Sequence, residues 1–145
     1  MVMIFYDKMD KLVYDGSGAV FGRMSTVVAK NLLNGNFVDL INCENIIISG
    51  SKQVFAKKIQ AKRAMGSGGS LKGPKYIRLS DRLVKRMIRG MLPRDRNRGR
   101  EAFKRLKCHI GNGDLKEDEL SKARRFEHKM PRKHSTIGEV VKLLR

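Results

Sequence analysis

The sequence predicts an α/β fold with parallel strand pairing, and three observations carry that prediction. The opening third reads strand, helix, strand, helix, an order that pairs strands in parallel across helical crossovers. A glycine-rich turn, Gly16-Ser17-Gly18, joins the first strand to the first helix. The strand runs are continuously apolar and β-branched, as in strands covered on both faces.

Taken in order, Leu12–Asp15 reads as a short strand and Ala19–Leu33 as a helix. Val20, Phe21, Met24, Val27, Val28 and Leu32 share one face of that helix at 3.6-residue spacing, and Gly35 stops it. Phe37–Asn42 and Asn45–Ser49 read as buried strands, and Gly50 breaks the second. A helix over residues 51–65 follows, basic on much of its surface. Residues 66–78 read as a flexible basic loop, with Gly66-Ser-Gly-Gly-Ser70 and Gly73-Pro74. Ser80 is the expected N-cap of a helix over Asp81–Met91, which Leu92-Pro93 ends. Leu83, Val84, Met87, Ile88 and Met91 fall on one arc of that helix, and Arg82, Lys85, Arg86 and Arg89 on the opposite arc. Residues 94–100 read as a basic loop, Glu101–Leu106 as a short helix and Lys107–Ile110 as a last strand before the turn Gly111-Asn112-Gly113. Residues 114–134 are charged and ambiguous. Thr136-Ile-Gly-Glu139 fits a capping box that opens a terminal helix through Leu144.

Length and composition bound the rest. At 145 residues and 41% hydrophobic content, the expectation is one domain, 1–145, with one core. The net charge of +18 is concentrated: residues 1–51 carry −1, residues 52–107 carry +16 and residues 108–145 carry +3. Within Lys85–Lys107, 23 residues hold ten Lys/Arg and two Asp/Glu, with apolar residues interleaved at helical spacing. A folded surface of nearly uniform sign needs a polyanion, so nucleic acid is the expected partner. A membrane surface is disfavoured because no apolar insertion face with Trp or Phe is present. The chain contains no Trp and is 6% aromatic, which disfavours single-strand recognition by base stacking. Residues 94–100 contain four Arg and no Lys, which suits forked contacts to the phosphates of a structured RNA.

Two cysteines without CxxC spacing favour a reducing compartment. Neither a signal h-region nor a membrane-length apolar run is apparent, so the expectation is a soluble intracellular protein.

The turn Gly16-x-Gly18-x-x-x-Gly22 stands where a dinucleotide fold places its glycines, but the usual spacing is GxGxxG. The alternative is a tight turn whose glycines permit close strand–helix packing. A P-loop is excluded, because Arg23 stands in place of its Lys. His109, His128 and His134 are too dispersed for a metal site, and Cys108-His109 has nothing nearby in sequence to complete one. Cys43 reads as a core residue, and Asp7, Asp10 and Asp15 have no acid/base partner. No cofactor is expected.

Several motifs together resemble ribosomal large-subunit protein 13, the universal family. DGSGAVFGRMSTVVAKNLLNG (15–35) and INCENIIISG (41–50) resemble its opening signature. RGMLP (89–93), RGREAFKRLK (98–107) and Gly111 resemble its second, and TIGEVVKLLR (136–145) resembles the C-terminal helix of archaeal-type members. Phe21, Met24 and Thr26 stand where Leu, Leu and Ser are common in that family. The resemblance implies a three-layer α/β/α sandwich with a mostly parallel, four-stranded sheet and basic extensions (residues 1–11 and 114–145). It also implies binding to large-subunit ribosomal RNA, a role in early subunit assembly, no catalysis, a cytoplasmic location in the large ribosomal subunit, and neighbouring large-subunit proteins such as large-subunit protein 3.

The expected RNA-binding set is therefore Lys57, Lys58, Lys62 and Arg63 on the second helix, and Lys72, Lys75 and Arg78 in the loop. Arg82, Lys85, Arg86 and Arg89 on the third helix join it, with Arg94, Arg96, Arg98, Arg100, Lys104 and Arg105 beyond. The competing readings are a free RNA chaperone or regulatory RNA binder, and a small nucleotide-binding enzyme built on the GSGAVFG turn.

Overall fold

The computed structural model describes residues 10–66, 69 and 76–144. The expectations for residues 1–9 and for most of the 66–78 loop, Lys72 and Lys75 included, lie outside the described residues.

Strand β1 (Lys11–Asp15) and strand β2 (Phe37–Ile41) pair in parallel over five residues, from Lys11↔Phe37 to Asp15↔Ile41, with helix α1 (Phe21–Leu33) crossing between them. Strand β4 (Leu106–Cys108) pairs with the outer edge of β2, and the two-residue β5 (Arg124–Arg125) with the outer edge of β1. The sheet order is β4-β2-β1-β5, every pairing parallel. Strand alternation puts Leu12, Tyr14, Val38, Leu40 and Leu106 on one face. Met24, Val28 and Leu32 of α1 are buried in the same core, and the Tyr14 hydroxyl accepts from Asn31 Nδ2 of α1 at 2.7 Å. Helix α4 (Asn97–Lys104) packs beside α1. On the other face, Lys11 Nζ reaches Asp39 at 3.3 Å and, from helix α5 (Glu117–Ser121), Glu119 at 2.6 Å. The arrangement is an α/β/α sandwich.

Past β4 lies a second helical group. Helix α3 (Ser80–Arg89) packs on β4 and on the 3-10 turn Cys43–Asn45, and helix α6 (Ile137–Leu143) packs on that turn and on helix α2 (Lys52–Ala64). One hydrophobic cluster joins both groups, running from Val28 and Leu40 through Leu106 to Leu83, Ile88, Ile137 and Val140.

Several sequence expectations need correction. The second apolar run does not join the parallel sheet. Asn42 takes the left-handed conformation (φ 53°), which Asn tolerates, and so ends β2. The 3-10 turn then redirects the chain, and strand β3 (Ile47–Ser49) pairs antiparallel with strand β6 (His134–Thr136). α1 starts at Phe21, because Ala19 and Val20 are extended: Ala19 O accepts from Ile47 N at 2.9 Å, and Val20 forms a bridge with Ile47. Ser25 and Ala29 complete the buried face of α1, while Val27 is 38% exposed. Ser80 is not an N-cap. Leu79 holds that position, and Ser80 is the buried first residue of α3. The helix stops at Arg89, so Met91 leaves its apolar arc and is 43% exposed. α4 starts four residues earlier than expected and takes in Arg98 and Arg100. The capping box at Thr136 holds in one half: its hydroxyl accepts from Glu139 N at 3.3 Å, and the Glu139 carboxylate instead meets Lys52 at 3.6 Å.

Candidate nucleic-acid interface

Helix α3 is the centre of the basic region, and its two arcs explain why. Leu83, Val84 and Ile88 are buried in the shared core, which holds the opposite arc outward. The cations of that arc divide to the two sides of the helix. Arg86 lays its guanidinium over the Tyr76 ring, 4.2 Å from the centroid. Lys62, from the last turn of α2, donates to the Tyr76 hydroxyl at 3.3 Å and lies 5.5 Å from the same centroid. On the far side, Lys85 lies 5.3 Å from the centroid of Phe103 in α4. Arg82 is exposed between them. The charged ends of these side chains thus lie against the faces of two aromatic rings.

Arg89 is where the cations crowd together. Partial burial, followed by the positive charges of Arg94 and Arg86, holds its guanidinium below the usual arginine value, though it remains charged. The ion pairs of Lys11 with Asp39 and Glu119, of Lys52 with Glu139 and of Arg125 with Asp15 involve none of the acidic residues of 52–107. Of the three acidic residues in 52–107, Asp81 has a buried carboxylate oxygen with no hydrogen-bond partner and Glu101 accepts from Asn97 at 3.1 Å.

The remaining expected residues fall into two groups. Lys57, Lys58, Arg78, Arg94, Arg96, Arg100 and Lys104 are exposed, and Arg63 is half-buried on α2. Arg98 and Arg105 both reach the end of α1: Arg98, at the surface, donates to Leu33 O at 3.0 Å and the half-buried Arg105 to Leu32 O at 2.9 Å. Both satisfy carbonyls at a helix C-terminus, where the dipole favours a cation. Arg100 donates to Asp95 O at 3.3 Å and so braces the turn ahead of α4. Sequence reasoning missed Tyr76. Its signal was a lone aromatic within a basic segment, between Lys75 and Arg78.

The glycine-rich turn is explained by packing. A Cβ on Gly16 would stand 2.8 Å from Ile46 Cγ1 and 2.9 Å from Ile41 O, and Gly18 is left-handed (φ 70°). The chain's own Asp15 carboxylate braces the turn. Asp15 Oδ1 accepts from Ser17 N at 3.0 Å and Asn42 Nδ2 at 2.9 Å, and Oδ2 from Arg125 Nε at 3.2 Å. The Glu44 carboxylate accepts from Gly111 N at 3.0 Å. Burial tends to raise the Asp15 pKa, but the hydrogen bonds from Asn42 and Ser17 and the charge of Arg125 outweigh it, leaving it below 3.8. A lowered folded-state pKa means that the stabilisation is complete above the unfolded value and is lost as pH falls through the folded one. Asp15→Asn is expected to cost about 1 kcal/mol at pH 7, with a narrower gap to the parent at pH 3. Urea melts at the two pH values check this. Arg125 is 82% exposed, so its share is under about 1 kcal/mol.

Cys43 is fully buried, and the hydrogen bond with Cys108, then burial, push its thiol far above the ordinary cysteine value. It is an inert core residue. No group of three or more metal-ligating side chains occurs among the described residues, and no helix there is long and apolar enough to cross a membrane.

The fold and surface define a parallel α/β sandwich with a basic helical face, and comparison with known proteins narrows the class to ribosomal proteins. The pattern of the ribosomal protein L13 family matches residues 9–114, and the chain belongs to that family. It is 39% identical over 135 residues to the large ribosomal subunit protein uL13 of Methanosphaera stadtmanae, covering 91% of this chain and 95% of that one. Its identity to the uL13 of Methanocaldococcus jannaschii is 37% over 136 residues (91% and 96% covered). For Picrophilus torridus uL13 it is 37% over 133 residues (90% and 94% covered). The family consists of structural ribosomal proteins, and this chain is not an enzyme.

Proposed function

We propose that this protein is a cytoplasmic constituent of the large ribosomal subunit that binds large-subunit ribosomal RNA as a single domain and supports early assembly of the subunit. The observation that carries the reading is the +16 charge of residues 52–107, displayed across α2, α3 and α4 by helices whose opposite sides are fixed in one core. Arg82, Lys85, Arg86, Arg89 and Arg94 contact phosphates, with Lys58, Lys62 and Arg63 of α2 extending the surface on one side and Arg96, Arg100 and Lys104 on the other. Arg78 and the loop lysines Lys72 and Lys75 belong to the same surface. Arg98 and Arg105 act chiefly by fixing α4 to the end of α1. Neighbouring large-subunit proteins, large-subunit protein 3 among them, adjoin it in the particle.

Two measurements test this. In a high-salt sucrose gradient of a cell lysate the protein is expected to migrate stoichiometrically with the large subunit; a position at the top, free of RNA, would mark it instead as a free RNA binder. With purified protein, changing Arg86 and Arg89 together to Ala is expected to weaken RNA binding and to lower the slope of log K against log salt by about one per lost phosphate contact. An unchanged slope in a folded variant removes these residues from the interface.

A further inference from the structure

Beside the basic arc of α3 lies an apolar groove of about 410 Å³. Phe55 and Ile59 of α2 form one wall, and Leu83 and Met87 of α3 the other. Met65, at the end of α2, stands on the rim and is 74% exposed. A water-exposed apolar groove is an unfavourable feature unless something covers it.

The chemistry of its border identifies the occupant. Among the described residues no carboxylate lines the groove, and the charged lining residues are Lys58 and Lys62. Tyr76, which also lines it, carries the Arg86 guanidinium at 4.2 Å from its centroid. An apolar cleft bounded by cations and by an aromatic–guanidinium stack suits a ligand with a flat apolar body and anionic flanks. An unpaired nucleobase between two phosphates has that form. The groove is also continuous with the phosphate-binding arc through Arg86, so a strand held there reaches it without leaving the surface.

We infer that the groove between α2 and α3 receives one unpaired nucleobase of the bound RNA, with Lys58 and Lys62 holding its flanking phosphates. The inference rests on the RNA-binding reading above and adds a single insertion point to it. The walls offer apolar contact and few polar groups, so the site takes a base by its faces and is indifferent to which base it is. One such point is compatible with a chain poor in aromatic residues, which has no row of stacking platforms for a long single strand.

The test is photocrosslinking in assembled large subunits, with p-benzoylphenylalanine in place of Met65 in one preparation and of Arg82 in another. The expected product at position 65 is a nucleotide adduct. Adding Ala61→Phe, whose ring fills the groove, is expected to abolish that adduct and to leave the one at position 82. An adduct at position 65 with a protein segment overturns the inference, as does no adduct there while position 82 still labels RNA. Persistence of the nucleotide adduct in the Ala61→Phe protein overturns it equally. Absence of RNA adducts at both positions would overturn the RNA-binding reading itself.

Discussion

Replacing Gly99 with valine is expected to destabilise the protein by about 3 kcal/mol or more, the upper end of the cost of overpacking a core. Gly99 lies in the first turn of α4, buried, where the helix backs directly onto the Leu92-Pro93 turn. Any Cβ there would collide with the Pro93 carbonyl and press on Arg94 N. Both obstacles are backbone, so no rotamer change relieves the overlap; α4 or the turn has to move. Movement of α4 would pull Arg98 away from Leu33 O and Arg100 away from Asp95 O, so helix α1 would lose part of its C-terminal capping as well. Gly99→Ala already introduces the clash and is expected to be clearly destabilising. Gly22→Ala is the control. Gly22 is helical in α1, and nothing stands within 4 Å of the Cβ it would gain. There the same chemical change should be neutral or stabilising, by up to about 1 kcal/mol, since alanine loses less conformational freedom on folding. Urea denaturation followed by circular dichroism gives both values. A Gly99→Val protein as stable as the parent would mean that α4 does not pack against Pro93 as described.

Gly99 also shows where sequence reasoning stopped. A glycine among arginines, six residues after a proline, carries the local signature of a loop, and Arg94–Arg100 reads that way. The helix nevertheless starts at Asn97, because the missing side chain is what allows it to approach the turn. That is a tertiary fact with no local signal. The same limit applies to Ile47–Ser49, where an apolar β-branched run announces a strand but does not say which sheet it joins. The left-handed Asn42 and the partner strand His134–Thr136, nearly ninety residues later, decide that. What periodicity alone governs was legible: β1, α1, β2, α2 and α3 stand within a few residues of their expected ends, and Thr136 caps α6 as its sequence predicts. The candidate site was legible in its charge but less so in its architecture. Counting cations finds Arg98 and Arg105 along with Arg82 and Arg86, yet the first two donate to the end of α1. Tyr76, which gathers Arg86 and Lys62 around one ring, adds nothing to a charge count, and its only signal in the sequence is a lone aromatic within a basic segment.

The orientation of α3 determines what the basic surface can do, and a pair of truncations tests it. Ile88→Ala is expected to cost about 2–5 kcal/mol, because the side chain is fully buried in the cluster that includes Leu83 and Leu106, and its removal leaves a cavity between the two helical groups. Helical periodicity alone assigns Met87 to the same apolar arc, which would imply a similar cost. The structure places Met87 half-buried on the wall of the α2–α3 groove, where solvent or neighbouring side chains take up the vacated space, so Met87→Ala is expected to cost only about 1 kcal/mol. The ratio between the two is more informative than either value. Equal large losses would mean that the helix is rotated toward Met87, closing the groove and turning Arg86 away from Tyr76. Equal small losses would mean that α3 is not anchored in the core at all. A large loss at Ile88 with a small one at Met87 fixes the rotation that holds Arg82, Arg86 and Arg89 outward together. RNA affinity measured below the unfolding transition then separates anchoring from contact. Ile88→Ala should retain the salt slope of the parent while it remains folded, whereas the Arg86 and Arg89 substitutions should lower it.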